Sequence, residues 1–291
     1  MTKIKNIYSF GTSFSNAGGF EFHRKSHMRD YYKCLDIPLE KSKVQYTYLL
    51  SQLLEKTINC TNLSKDGFGN ERIYRKIHEI THQKNFIPEE NLFIIEFSDL
   101  GRKEIYVNKD KKHGIINYLV EDEQKIKFVG SSYNYNDEIW TENLLEAEES
   151  FKSFFEKSFN FREEIDKTNA NILKTITYLE YLKIPYIILH SPPNPGHGHV
   201  HIFDDLIKRK SVDEIDGHVI FGYLWSNKYD ITDETNGKVG DLHFGYRGNI
   251  IISKLVFNKM IDLKLIEGEK IPFDDIIKET NNIKEILDKN N

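Results

Sequence analysis

No stretch of this 291-residue chain approaches the roughly 20 consecutive apolar residues that a membrane-spanning helix needs. The cationic start (Lys3, Lys5) meets Gly11 and polar residues before any apolar core of useful length, so no secretory signal is read. Cysteine is scarce. Cys34 and Cys60 stand far apart without ligand-type spacing, which points to two reduced thiols and away from a disulfide framework or a thiolate metal centre. A basic excess is also lacking: 40 Lys and Arg face 45 Asp and Glu, a formal charge of −5. The Lys-rich runs have acidic residues beside them, so neither nucleic acid nor a membrane surface is an expected partner. The expectation is a cytoplasmic protein.

What is present is core material. Apolar residues make up 39% of the chain and aromatics 13%, enough for a sizeable interior at a length that admits one large domain or two small ones. Residues 4–10 read as a strand feeding the turn at Gly11. Tyr46, Leu49, Leu50, Leu53 and Leu54 then recur at helical spacing, and residues 58–63 form a short extended stretch. Ile73, Ile77 and Ile80 mark a second amphipathic helix. Residues 91–97, Asn-Leu-Phe-Ile-Ile-Glu-Phe, are nearly all apolar, as a strand covered on both faces would be. This strand–helix alternation predicts an α/β fold with a largely parallel sheet.

The alternation breaks near residue 104. Strand-like runs at 104–108, 115–120 and 125–130 are separated by polar turns, so a small insertion spanning about 104–165 is expected within one domain covering 1–291. Leu144, Ala147, Phe151 and Phe154 suggest a helix, and Ile172, Ile176 and Leu179 another. Residues 184–189 return to a buried strand, and 219–224 read as weakly strand-like. Ile251, Leu255 and Ile261 outline a helix expected to begin near Ile250 with Asn249 as its cap. The last fifteen or so residues read as a frayable charged helix.

Four polar motifs each follow a predicted strand or precede a predicted helix. The first is Gly11-Thr12-Ser13-Phe14-Ser15, where glycine permits a tight turn that exposes a serine at a strand end. The second is Asn62-Leu63-Ser64-Lys65-Asp66-Gly67, whose glycine can present a backbone N–H to an oxyanion; Asn70, just beyond, suits a helix cap or a substrate contact. The third is Phe97-Ser98-Asp99, with Arg102 close behind. The fourth is Asp241-Leu242-His243, a carboxylate two residues from an imidazole whose tautomer it can fix. Trp225 and Tyr229 lie in the segment before Asp241 and are candidate pocket residues, as are Tyr133, Tyr135 and Trp140 of the insertion, which suit packing equally well.

In order and approximate spacing these motifs resemble the sequence blocks of the SGNH (GDSL-like) hydrolases. The resemblance implies a three-layer α/β/α flavodoxin-like fold with a mainly parallel central sheet. It implies Ser13 as nucleophile, His243 as base, Asp241 as its orienter, and Ser13, Gly67 and Ser98 as oxyanion donors. Asn70, Arg102 and Trp225 are then candidate substrate contacts. The implied activity is hydrolysis of an acyl ester on a small molecule or saccharide, short-chain or acetyl, with no metal or organic cofactor. Two departures stand out: Thr12 where the family pattern has Asp, and Glu96 and Ser98 where it has Gly and Asn. Two other readings remain open. His197, His199 and His201, with His190 upstream, alternate as ligands for Zn or another first-row metal can on a strand. Alternatively, the departures mark a non-catalytic module that binds a saccharide or a protein.

Overall fold

The computed structural model describes residues 4–12, 14–17, 32–35, 41–65, 69–98, 102–107, 112–122, 125–131, 161–190, 208–212, 220–235 and 243–290. In chain order the strands are β1 (Asn6–Phe10), β2 (Asn59–Asn62), β3 (Asn91–Glu96), β4 (Arg102–Val107), β5 (Lys112–Asp122), β6 (Lys125–Ser131) and β7 (Tyr186–His190). The helices are α1 (Lys41–Val44), α2 (Tyr46–Leu53), α3 (Asn70–Thr81), α4 (Phe161–Leu182), α5 (Ile220–Ser226), α6 (Ile231–Glu234), α7 (Tyr246–Asp262) and α8 (Phe273–Asn290).

All pairings in the main sheet are parallel, in the order β2-β1-β3-β7. A parallel bridge from Ile188 to Ser211 prolongs the sheet beyond β7. From β1 the chain crosses first to one side, to β2, and then to the other, to β3. The strand order therefore reverses between β1 and β3, and in open α/β sheets such a reversal marks the ligand crevice outside the carboxyl ends of the strands.

β3 accounts for its own apolar run. Every residue of Asn91–Glu96 is buried. Leu92 and Ile94 join one core with Ile7, Leu50, Ile251 and Val256, while Phe93 and Ile95 join the other with Phe10, Ile73, Ile77, Ile172 and Ile176. Alternate side chains thus enter opposite cores, with α2, α7 and α8 over one face and α3 and α4 over the other. The result is a three-layer α/β fold, as the alternation of elements predicts. Each fully buried Ile, Leu or Phe contributes roughly 1.5–3 kcal/mol of transfer free energy, so this doubly covered sheet is the rigid platform for its edge loops.

The insertion contains an antiparallel sheet, β4-β5-β6, whose strands begin up to three residues before the expected runs. The helix expected around Leu144–Phe154 lies outside the described residues.

Three expectations need correction. Residues 220–226 form helix α5, not a strand; its buried Ile220, Phe221, Tyr223 and Leu224 make a short apolar run in which periodicity cannot separate the two. The helix expected from Ile250 begins at Tyr246 with Gly245 as N-cap. Asn249 lies inside it, its amide donating back to the carbonyls of Phe244 (3.2 Å) and Gly245 (3.0 Å). The C-terminal helix α8 is docked: Ile276, Thr280 and Leu287 are buried, and Arg247 Nε donates to the Thr280 carbonyl at 2.9 Å. Its charged residues occupy the other face of an amphipathic helix.

Candidate active site

The loop after β1 reaches the crevice already tied down. Register places Phe10 beside Ile95, so Gly11 lies next to Glu96, and on its other side the Lys65 N–H donates to the Gly11 carbonyl at 3.2 Å. A Cβ on Gly11 would lie 2.7 Å from Glu96 Oε2 and 2.8 Å from Glu96 Cβ, which is why glycine stands there. Beyond it the chain turns tightly, Asn16 N–H donating to the Thr12 carbonyl at 3.1 Å and Ala17 N–H to the Phe14 carbonyl at 3.2 Å. From β2, Asn62 Nδ2 holds the Ser15 carbonyl at 2.8 Å while Asn62 Oδ1 accepts from the Ser64 N–H at 2.9 Å. Underneath, the Ser9 hydroxyl bonds Tyr46 Oη at 2.6 Å and Ser64 Oγ at 3.1 Å. Burial raises the Tyr46 pKa, so the phenol stays neutral.

Ser13 lies outside the described residues, but its neighbours on both sides do not. Thr12 is buried, and so is Ser15, whose hydroxyl oxygen is shut off from solvent. Phe14 turns toward the last part of the chain. Its ring centroid lies 5.0 Å from that of His243, 5.2 Å from Phe244, 5.4 Å from Trp225 and 5.5 Å from Phe221.

His243 is held from behind. Its carbonyl accepts from the Ile231 N–H at 2.8 Å, Asp230 and Phe244 form an antiparallel bridge, and Gly245 N–H donates to the Tyr229 carbonyl at 2.9 Å. The imidazole therefore leaves a pinned loop just before α7, on the flank of the aromatic cluster. Trp225 caps that cluster at the surface with 39% of its area exposed. Asp241, the expected orienter, lies outside the described residues.

Ser98 follows β3 at the opposite lip of the crevice. Its N–H donates to Asn70 Oδ1 at 2.8 Å, and its carbonyl accepts from Asn70 Nδ2 at 2.9 Å. Asn70 is thus a two-point clamp on the exit of β3, buried and engaged at both ends of its amide. It is not the cap of α3; Gly69 takes that position. Gly67 lies outside the described residues, and Arg102 is described only as the backbone that opens β4. The alternating His197, His199 and His201 also lie outside, and among the described residues no group of three or more His, Cys, Asp or Glu could hold a metal. Cys34 is exposed and Cys60 half-buried.

Sequence reasoning missed Asn62 and Glu96 as parts of this site. Asn62 carried a readable signal, an Asn two residues before a Ser at a strand end, which suits an Asx-turn. Glu96 was visible only as a departure from the family pattern. The structure brings the first departure onto the second: the Thr12 hydroxyl and N–H both donate to the Glu96 carboxylate. An acid at the end of β3 thus reaches across to the loop after β1.

A second buried acid lies behind the histidine loop. Glu234 is fully buried under Gly245, where a Cβ would fall 2.0 Å from its Oε2. Its Oε1 accepts from Tyr32 Oη at 3.0 Å and from the Arg247 N–H at 3.4 Å. Burial pushes the carboxyl up to about 7, against the pull of Arg247, Tyr32 and Lys284. Because the folded pKa lies above the unfolded value of 4.5, this group favours folding most below pH 4.5, and the contribution is lost as pH rises through 7. The span corresponds to about 3 kcal/mol. Glu234→Gln is therefore expected to flatten the fall in stability between pH 5 and pH 8, gaining on the wild type at the alkaline end. Denaturant melts of both proteins at the two pH values check it; parallel curves would show that Glu234 ionises without cost.

No family model and no curated protein matches the chain. Among solved structures it is similar to a psychrotrophic esterase, EstA, from Pseudoalteromonas sp., in a crystal structure inhibited by monoethylphosphonate. Identity is 12%, the TM-score 0.43, and the match covers 89% of this chain and 98% of that one. It is also similar to a member of the lipolytic protein G-D-S-L family from Veillonella parvula DSM 2008, at 14% identity and a TM-score of 0.39, over 89% and 97% of the two chains. Among the described residues no helix is long and apolar enough to cross a membrane.

Proposed function

We propose that this protein is a serine esterase of the SGNH hydrolase type, with Ser13 as nucleophile, His243 as base and Asp241 as the carboxylate that orients it. The supporting observation is the 5.0 Å approach of the Phe14 and His243 rings, which joins the loop after β1 to the loop before α7 at one lip of the crevice. Thr12 and Ser15, which bracket position 13, are buried, and their N–H groups are bonded to Glu96.

In the reaction so assigned, His243 takes the Ser13 proton as the hydroxyl oxygen attacks an ester carbonyl. The tetrahedral oxyanion is met by the N–H groups of Ser13 and Gly67, with Ser98 a further donor at the opposite lip. Collapse expels the alcohol, which takes the proton back from the imidazole. Water activated by the same imidazole then releases the acid. Trp225, exposed and packed on Phe14 as His243 is, suits the apolar or sugar-ring part of a small ester. A short acyl chain, acetyl included, is the substrate class proposed.

Reaction of the folded protein with a fluorophosphonate, followed by peptide mass spectrometry, tests this reading. One adduct per chain is expected, on the peptide containing Ser13. Folded protein that takes up no label would be a binding module and not an esterase.

A further inference from the structure

Glu96 has no part in the chemistry just described, and its surroundings ask for one. It is the last residue of β3, 1% exposed, at the strand-order reversal. Pairing between β3 and β7 shifts register at this point: Ile95 faces Ile188, but Glu96 faces His190. Such irregularities re-aim side chains beside functional sites. Among the described residues no Lys or Arg pairs with Glu96, although an uncompensated carboxylate is costly to bury. What satisfies it is the loop after β1. Oε2 accepts the Ser15 N–H at 2.8 Å and the Thr12 N–H at 3.2 Å, while Oε1 accepts the Thr12 hydroxyl. The donors sit on residues 12 and 15, bracketing position 13. Gly11 lets the carboxylate come this close, since a Cβ there would strike it.

We propose that Glu96 is the positioning residue for the nucleophile: its carboxylate gathers the backbone of residues 12 and 15 and so fixes the direction in which the Ser13 hydroxyl leaves the loop. The inference rests on the reading of Ser13 as nucleophile. It also explains why an acid is tolerated inside this sheet. The two N–H groups it holds are turned inward, so they do not compete for the oxyanion. The device is geometric: what matters is an acceptor at the end of a side chain of this length.

Length and acceptor chemistry give separable variants. In Glu96→Gln the amide oxygen can take both N–H groups while the amide nitrogen donates to Thr12 Oγ1, since a hydroxyl accepts as well as donates. Glu96→Asp keeps the charge but draws it back by one methylene, and Glu96→Ala removes the acceptor. With an aryl acetate, Glu96→Ala is expected to lower kcat about 100-fold with KM little changed, because misplaced reacting atoms cost rate and not uniform binding. Glu96→Asp should fall between, and Glu96→Gln should stay within about tenfold of the wild type. Fluorophosphonate labelling rates should follow the same order. Amide hydrogen exchange at residues 12 and 15 supplies a readout independent of catalysis: protected in wild type and Glu96→Gln, fast in Glu96→Ala.

Wild-type kcat and protection in folded Glu96→Ala would overturn the proposal. If that variant fails to fold, wild-type kcat in Glu96→Asp, or a Glu96→Gln as slow as Glu96→Asp, overturns it equally. A wild type that is inert to ester and label, yet shows the expected exchange pattern, would retire the esterase reading while leaving the anchoring of the loop in place.

Discussion

Ser13→Ala is expected to lower kcat for an aryl acetate by at least about 10⁴-fold while leaving the thermal melting curve unchanged. The loss is large because, in the proposed reaction, the alcohol oxygen is the only atom of that side chain that forms a bond with substrate. The loop has anchors of its own: among the described residues they run through Thr12, Ser15, Asn16 and Ala17. Ser15 cannot inherit the role, because its oxygen is shut off from solvent and its N–H is bound to Glu96. A small residual rate is expected, since oxyanion donors and binding continue to act on a bound ester attacked by water. Esterase progress curves on the purified variant, set beside its melting curve, decide the matter. Retained turnover in a folded Ser13→Ala protein would place the nucleophile elsewhere.

The parts of the fold legible in the sequence are those whose cause is local. Asn91–Glu96 reads as a doubly buried strand because its side chains alternate into two cores and both are apolar. Ile172, Ile176 and Leu179 read as a helix because one stripe is buried at helical spacing. The α5 segment was misread because seven residues, mostly apolar and aromatic, carry no usable period. The start of α7 was misread for a different reason: Asn249 is a good cap by type, but Gly245 sits above Glu234, where no Cβ fits, and that crowding comes from eleven residues upstream.

Non-local cause also explains what was hidden in the site. Thr12 and Glu96 stand 84 positions apart, and each by itself looks like a defect in a motif. Only the pairing of Phe10 with Ile95, and hence of Gly11 with Glu96, turns them into one contact. Asn70 was misjudged similarly. Its position beside a helix start suggests a cap, whereas the amide is used 28 residues away on the exit of β3. Trp225 is nominated by chain order before Asp241, and its ring packs 5.4 Å from that of Phe14.

His243→Ala should cost kcat nearly as much as loss of Ser13, again about 10⁴-fold or more, and should slow fluorophosphonate labelling in step, because an unassisted serine hydroxyl is a poor nucleophile. The fold should survive. The backbone of His243 keeps its bond to Ile231, and Phe14 still packs on Phe244 and Phe221 when the imidazole is gone. The sharper result concerns the pair. Residues that act as one unit give losses that do not multiply, so Ser13→Ala/His243→Ala should be no slower than either single variant. Independent contributions predict instead a combined loss near the product, far below the rate of either. Measuring all four proteins with one ester closes the cycle. A His243→Ala variant only a few-fold slower than wild type would assign the ring to packing against Phe14, and the base would have to be sought on another element at the same lip of the crevice.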